Sequence, residues 1–342
     1  MIYTPNNILV TGGAGFIGCN YVRYVLKANQ SVSVVSLDNL SYAGSLKNLE
    51  NLISPERHQF IEGDICNKEL LLSVLRDNNI DTIVHFAAES HVDRSITGPS
   101  AFIQSNLVGT FNLLDAAREV WLNEKSWNVS NCRFHHISTD EVYGSLNLED
   151  PPFKETTSYA PNSPYSASKA GSDHLVRSYL HTYGLPVTTT NCSNNYGPYQ
   201  HSEKFIPTVI RSCLAHTPIP VYGDGTNIRD WLYVDDHCSA IERVICQGEI
   251  GETYNVGGHN EWSNNNIVKV ICELLDKKIP WDKPYSTLVS YVTDRLGHDW
   301  RYAIDGTKLK DGLAWMPSLE FEEGIGKTID WYLEHNDFLT NK

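Results

Sequence analysis

The stretch ILVTGGAGFIG, Ile8 to Gly18, decides how the rest of the chain is read. Ile8 to Val10 is a short, continuous apolar run, as expected of a strand buried on both faces. Glycines follow where the backbone must turn tightly, and Phe16, Ile17 and Gly18 open a helix. Gly13, Gly15 and Gly18 satisfy G-x-G-x-x-G; Gly12, Gly15 and Gly18 satisfy G-x-x-G-x-x-G. Such a turn lets backbone approach a pyrophosphate, and the helix N-terminus offers it free N–H groups and a partial positive charge.

A glycine loop alone is weak evidence, but this one has a partner. Asp38 closes SVSVVSLD (31–38), at the distance where a carboxylate accepts hydrogen bonds from the adenosine ribose. The same charge repels a 2′-phosphate, and NLSYAG (39–44) carries no Arg or Lys. The pattern therefore favours NAD over NADP. Asp64 ends HQFIEGDI (58–65), where contact with the adenine edge and a helix-capping role are both open. Gly12, Gly15, Phe16, Ile17, Gly18, Asp38, Asn39, Asp64 and Ile65 are the candidate cofactor contacts of this first region.

Working outward, DTIVHFAA (81–88), RFHHIST (133–139) and LPVTTTNC (185–192) are further β-rich runs separated by helical patterns. Strands alternating with helices predict βαβ units and an α/β fold, a doubly wound parallel-sheet Rossmann domain. Two helices read as long, one from about Ser100 to Trp121 and one from Pro164 to Tyr183, the latter stopped by Gly184 and Pro186. After Asn194 the chain turns to Gly, Pro, Asn and aromatic residues. The expected division is an NAD-binding domain over 1–193 and a smaller C-terminal substrate-binding region over 194–342, interleaved with it.

The 342 residues, 41% hydrophobic and 20% charged, are an ordinary globular composition. No run is long enough to span a bilayer, and MIYTPNNILVTGG lacks a basic leader and a cleavage site, so neither a membrane nor a signal peptide is read. Eight cysteines without C-x-x-C spacing imply reduced thiols and a cytoplasmic location; Cys19, beside the glycine loop, reads as a small buried thiol. The 13 histidines form no H-x-x-x-H, so no metal site is expected. A net charge of −14 with no basic stripe argues against nucleic acid.

Tyr165 and Lys169 in YSASK share one helix face at i and i+4. An ammonium near a phenol lowers the phenol's pKa, and such a phenol can take a proton from a sugar hydroxyl as the same carbon is oxidised. Thr139 ends the preceding strand, placed to bond that hydroxyl. Asp140 and Glu141 follow it in STDEVYG (138–144), and like charges in a shared cleft have their pKa values pushed apart. The residues alone do not say which is acid and which is base.

TGGAGFIG with YSASK resembles the extended short-chain dehydrogenase/reductase superfamily, and AAESHVDRS (87–95), STDEVYG and NNYGPYQ (194–200) resemble its nucleotide-sugar 4,6-dehydratase branch. The resemblance implies oxidation at C4 of a hexose, loss of water across C5 and C6, and reduction at C6. It makes Asp140 the acid and Glu141 the base. It places Ala87, Ala88, Ser105 and Asn195 at the cofactor, and Ser90 and Asn194 at the sugar. It turns Arg229 and His298 toward the diphosphate, with Arg295 a further nearby cation. It brings Lys204, Phe205, Val221, Tyr222 and Asn264 to the nucleoside. Leu296 stands where the branch would have proline, which bears on loop stiffness. The implied partners are a nucleotide sugar and a second copy of the chain. Rival readings are a 4-epimerase or decarboxylase, which usually lacks the acid pair, a dehydratase using another base, and a silent NAD-binding regulator, which would usually show a broken Tyr–Lys pair.

Overall fold

The structure is a computed structural model and describes residues 2–294 and 297–340. Strands β1 (Asn7–Thr11), β2 (Ser33–Asp38), β3 (His58–Glu62), β4 (Thr82–His85), β5 (Arg133–Thr139) and β6 (Val187–Cys192) coincide with the six apolar runs. With β10 (Thr253–Val256) they form one parallel sheet in the order β10-β6-β5-β4-β1-β2-β3. The chain reverses its direction of travel between β1 and β4, and ligands bind beyond the carboxyl ends of the strands at such a switch point.

Both faces of the sheet are covered. Leu9, Ile83 and Phe134 pack with Leu71, Leu75, Leu113 and Val176 on one face. Ile8, Val10, Val84 and Ile137 pack with Tyr21, Val22, Ile241 and Ile245 on the other. Alternate residues of β1 thus serve opposite cores, which is why the strand reads as continuously apolar rather than alternating. Each fully buried aliphatic side chain contributes about 1.5–3 kcal/mol relative to exposure.

The second long helix spans Pro164–Tyr183. Ser163 caps it by accepting from the Ser166 N–H, Pro164 fits its first turn, and Gly184 ends it at φ +74°. The first runs from Pro99 to Glu124 and is mixed. α-Helical turns at Pro99–Phe102 and Thr110–Ala117 alternate with wider i→i+5 turns at Ile103–Gly109 and Arg118–Glu124. An apolar outer stripe of Phe111, Leu114 and Leu175 would be expected on this helix pair. Phe111 is exposed, but Leu114 is wholly buried in the core and Leu175 packs against it. Their spacing suits either face, and tertiary packing chose the inner one.

Beyond residue 193 two small sheets build a lobe: β11 (Glu261–Ser263), β9 (Ile228–Tyr233) and β7 (Asn194–Tyr196), and β12 (Val289–Val292) with β8 (Ile219–Tyr222). Ile206, Ile210, Val221, Trp231, Ile271 and Phe321 are among its core residues. The lobe is not a clean second half. β10 returns to pair with β6, and the Val234–Gln247 helix packs on the first sheet through Ile241 and Ile245. Among the described residues no helix is long and apolar enough to cross a membrane.

Candidate active site

A cleft opens along the carboxyl edge of the sheet. Its floor is the glycine turn. Gly12 holds φ +71°, and a Cβ there would sit 2.8 Å from the Ala87 nitrogen. A Cβ on Gly18 would lie 2.1 Å from the Gly12 carbonyl. Only glycine lets the turn close and the helix start at Phe16.

Asp38 ends β2 at the cleft wall. One oxygen accepts from the Ala14 N–H at 3.0 Å and the other from the Leu40 N–H at 2.9 Å. Burial pushes its carboxyl up, while these N–H groups oppose the shift. Gly15, Phe16, Ile17, Asn39, Asp64, Ile65, Ala87, Ala88 and Ser105 line the same cleft. Asp64 also accepts from the Cys66 N–H at 2.8 Å, so its local turn role and its place in the cleft coexist. A glycine turn with no room for a Cβ at Gly12 or Gly18 and an acid at the end of β2 fit NAD.

The other end of the cleft holds Thr139, Asp140, Glu141, Tyr165, Lys169, Ser90, Asn194, Asn195 and Lys204. Asp140 is 1% exposed. One of its oxygens accepts from Thr139 Oγ1 at 3.3 Å, and the other is buried without a hydrogen-bond partner. Burial first, then the charges of Glu141 and Asp230, hold its carboxyl well above the usual range. Asp140 is thus the more deeply buried carboxyl of the pair, in surroundings that favour its neutral form. Glu141 is only partly buried, its backbone N–H donating to Thr139 Oγ1 at 3.2 Å.

The Tyr–Lys pair differs from expectation. Lys169 is buried and donates to the Ile137 carbonyl at 2.7 Å. The Tyr165 phenol is pushed up, by burial first and by Glu141 next, with Thr139 opposing. Spacing puts the two on one face, and burial with the nearby charge of Glu141 dominates the phenol's surroundings.

The nucleotide-facing candidates do not line this cleft, though the Arg229 charge reaches the Asp140 carboxyl and the Tyr222 ring meets His298 edge-on. Phe205, Val221, Tyr222, Arg229, Asn264 and His298 lie outside the cleft lining, and Arg295 falls outside the described residues. Val221 is wholly buried in the lobe core, while Tyr222 is exposed. Arg229 donates to the carbonyls of Ile228 (2.7 Å), Asp299 (2.9 Å) and Trp300 (3.3 Å) and lies over the Tyr302 ring. His298 bonds Asp294 at 2.6 Å.

Sequence reasoning missed Tyr42, Ser138, Cys192, Ser193, Gln200 and His201, all in the cleft wall. Tyr42 stood in a segment read only for its lack of cations; Ser138 and Gln200 stood at the ends of motifs, STDEVYG and NNYGPYQ, that were read for other residues. Cys19 is buried, its thiol pushed up to about 12 by desolvation, which fits a packing role.

Fold and cleft together define an NAD-dependent enzyme of the short-chain dehydrogenase/reductase type, carrying a buried carboxyl beside its phenol. A family model described as GDP-mannose 4,6 dehydratase matches residues 9–328, and the chain belongs to that family. A protein of Xanthomonas campestris pv. campestris (strain B100) named dTDP-glucose 4,6-dehydratase is 55% identical over 97% of this chain and 94% of its own. An Escherichia coli (strain K12) relative named dTDP-glucose 4,6-dehydratase 1 is 52% identical over 98% of this chain and 94% of its own. The solved dTDP-glucose 4,6-dehydratase DesIV of Streptomyces venezuelae, with NAD and TYD bound, superposes with a TM-score of 0.88 at 43% identity, covering 98% of this chain and 99% of that one. A Thermotoga maritima UDP-glucose 4-epimerase shares the fold, with a TM-score of 0.84 at 28% identity over 96% of this chain and 99% of that one.

Proposed function

We infer that the chain converts dTDP-glucose to dTDP-4-keto-6-deoxyglucose and water. The observation that carries the reading is the buried Asp140 beside Glu141 at the strand end, facing the Tyr165 phenol across a cofactor cleft. A 4-epimerase needs only reversible oxidation at C4, whereas elimination needs an acid and a base together.

NAD, when bound, would supply the hydride acceptor for oxidation at C4 and the hydride donor for reduction at C6. The glycine turn and the N-terminus of the Phe16–Ala28 helix would hold its pyrophosphate, and Asp38 its adenosine ribose. Tyr165 acts here as a phenolate, which the Lys169 ammonium and the positive charge of bound oxidised NAD would favour against burial; it receives the proton of the C4 hydroxyl, which Thr139 orients. Oxidation at C4 acidifies the C5 proton, and Glu141 removes it. Asp140 protonates the departing C6 hydroxyl, which leaves as water; on reduction at C6 Glu141 returns its proton to C5, and the proton taken up at Tyr165 makes good the one Asp140 gave, so the site is restored. Ser90 and Asn194 hold the hexose, and Asn195 and Ser105 the cofactor. Lys204, Phe205, Val221, Tyr222 and Asn264 serve the nucleoside; Arg229, Arg295 and His298 serve the diphosphate.

The protein acts in the cytoplasm as a homodimer; the pairing is supported by Ile103, Phe111 and Tyr183, which stand exposed on the two long helices. The test is incubation with dTDP-glucose, UDP-glucose and GDP-mannose, with products read by mass spectrometry. A product lighter by one water, formed fastest from dTDP-glucose, is expected. An isomer of unchanged mass would identify an epimerase instead.

A further inference from the structure

Beneath the acid pair lies a buried polar network that the reaction as described does not use. Asp173 sits one turn after Lys169 on the Pro164–Tyr183 helix, so the two share a face. Lys169 is 5% and Asp173 7% exposed. One Asp173 oxygen accepts from His136 Nε2 at 3.0 Å. The other accepts from Ser138 Oγ at 2.8 Å and from the Tyr159 hydroxyl at 2.9 Å. Lys169 donates to the carbonyl of Ile137. Three successive residues of β5, at 136, 137 and 138, are therefore tied to one helix face. The next residues are Thr139, Asp140 and Glu141, while Tyr165 stands one turn before Lys169.

We propose that Asp173 is a positioning residue for proton transfer: its hydrogen bonds to His136, Ser138 and Tyr159, with the Lys169 bond to Ile137, register the end of β5 against the helix that carries Tyr165, and its charge favours the Lys169 ammonium from beyond ion-pair distance. This rests on the dehydratase reading for its rate consequences, but not for its electrostatics. A buried ammonium without a counter-charge loses its proton rather than stay ionised. Burial lowers Lys169, and Asp173 is the first influence opposing it. Asp173 is itself pushed up to about 6 by burial, with Lys169, Ser138, Tyr159 and His174 pulling it down. Further groups near the pair come from three strands and the turn after β5. β5 gives His136, which burial keeps neutral, with Ser138; β4 gives His85, also held neutral by burial. β6 gives Cys192 and Asn191, whose amide reaches Tyr159 at 3.3 Å. The turn after β5 gives Tyr143, whose phenol feels Asp173 and Glu155. Among these groups Asp173 is the one carboxylate set against Lys169 on its own helix.

The experiment compares Asp173→Asn, which keeps the shape and removes the charge, with Ser138→Ala and Tyr159→Phe, which each remove one donor and keep it. Two readouts are taken: the Lys169 titration, by 13C NMR of lysine ε-carbons assigned with Lys169→Met, and the pH profile of 6-deoxy product formation. Asp173→Asn should lower the Lys169 pKa and move the alkaline limb of the profile to lower pH. Its kcat should fall by up to about 10²-fold, the lower end of a positioned acid–base group's contribution, with KM for dTDP-glucose unchanged. Ser138→Ala and Tyr159→Phe should leave the limb and the titration in place. An unmoved Lys169 titration in Asp173→Asn overturns the proposal, as does a rate loss matched only by loss of folded protein. If Asp173→Asn does not fold, Asp173→Glu replaces it: the charge is kept, so the titration must stay and the rate must fall, and a shifted titration overturns the proposal. An unmodified protein that makes no 6-deoxy product would sink the dehydratase reading, while the NMR titration would still judge Asp173.

Discussion

The cofactor half of the molecule and the nucleotide half of the lobe are built on different principles. The first is assembled from strand ends: β1, β2, β4 and β5 stop at one edge, and the residues just past each stop face one cleft. The second draws on separated elements. Val221 belongs to the lobe core, Arg229 is tied to the carbonyls of Ile228, Asp299 and Trp300, and His298 is engaged by Asp294. A parallel sheet delivers its carboxyl-end residues to one place because every strand runs the same way. Small sheets joined by long connections give no such guarantee, so each nucleotide-side residue must be placed by its own contacts.

The largest effects should arise in the half that is already built. Tyr165→Phe should block C4 oxidation, so neither reduced cofactor nor keto sugar appears by absorbance and quenched product analysis. Asp140→Asn and Glu141→Gln should leave C4 oxidation intact but lower 6-deoxy product by about 10²–10⁴-fold each, with a 4-keto-hexose accumulating. Full-rate product from either acid-pair variant would remove the elimination from this site.

Asp140 carries a pH signature of the same cleft. Its carboxyl is held well above the ordinary range by burial, Glu141 and Asp230. A carboxyl raised on folding contributes stability below its unfolded pKa of about 3.9, and that contribution is lost as pH rises through the folded value. Asp140→Asn cannot ionise, so it should melt above the unmodified protein at alkaline pH, the gap closing as pH falls toward 4. The same titration should end elimination at high pH. A melting difference independent of pH would show that Asp140 is not buried as a proton-bearing acid.

On the nucleotide side the effects should be smaller and mixed. Arg229→Ala should raise KM for dTDP-glucose with little change in kcat, since a ground-state diphosphate contact binds substrate and transition state alike. It should also cost about 1.5–3 kcal/mol of stability in denaturant titration, because its guanidinium satisfies three carbonyls. A lost melting temperature with KM unchanged would make Arg229 structural and widen the contrast between the halves. Smallest of all, Asp38→Ala should weaken NAD binding by about tenfold, roughly 1.4 kcal/mol, and narrow the preference over NADP in calorimetric titration. NADP bound as tightly as NAD by the unmodified protein would break the reading of that strand end.

Sequence alone carried the six leading strands, the long helix at Pro164–Tyr183, the glycine cradle, Asp38 and the Thr139–Asp140–Glu141 and Tyr165–Lys169 sets. All of these are local. A turn needs glycine where no Cβ fits, a doubly buried strand needs an unbroken apolar run, and i and i+4 share a helix face whatever surrounds them. Tertiary structure alone decided that Thr253–Val256 completes the first sheet and that Leu114 turns inward. It put Asp140 deeper than Glu141, and set Asp173 against Lys169 and β5. Those outcomes depend on which surfaces meet and how much water each meeting removes. Desolvation is a property of the packed neighbourhood, and no short window of residues contains it.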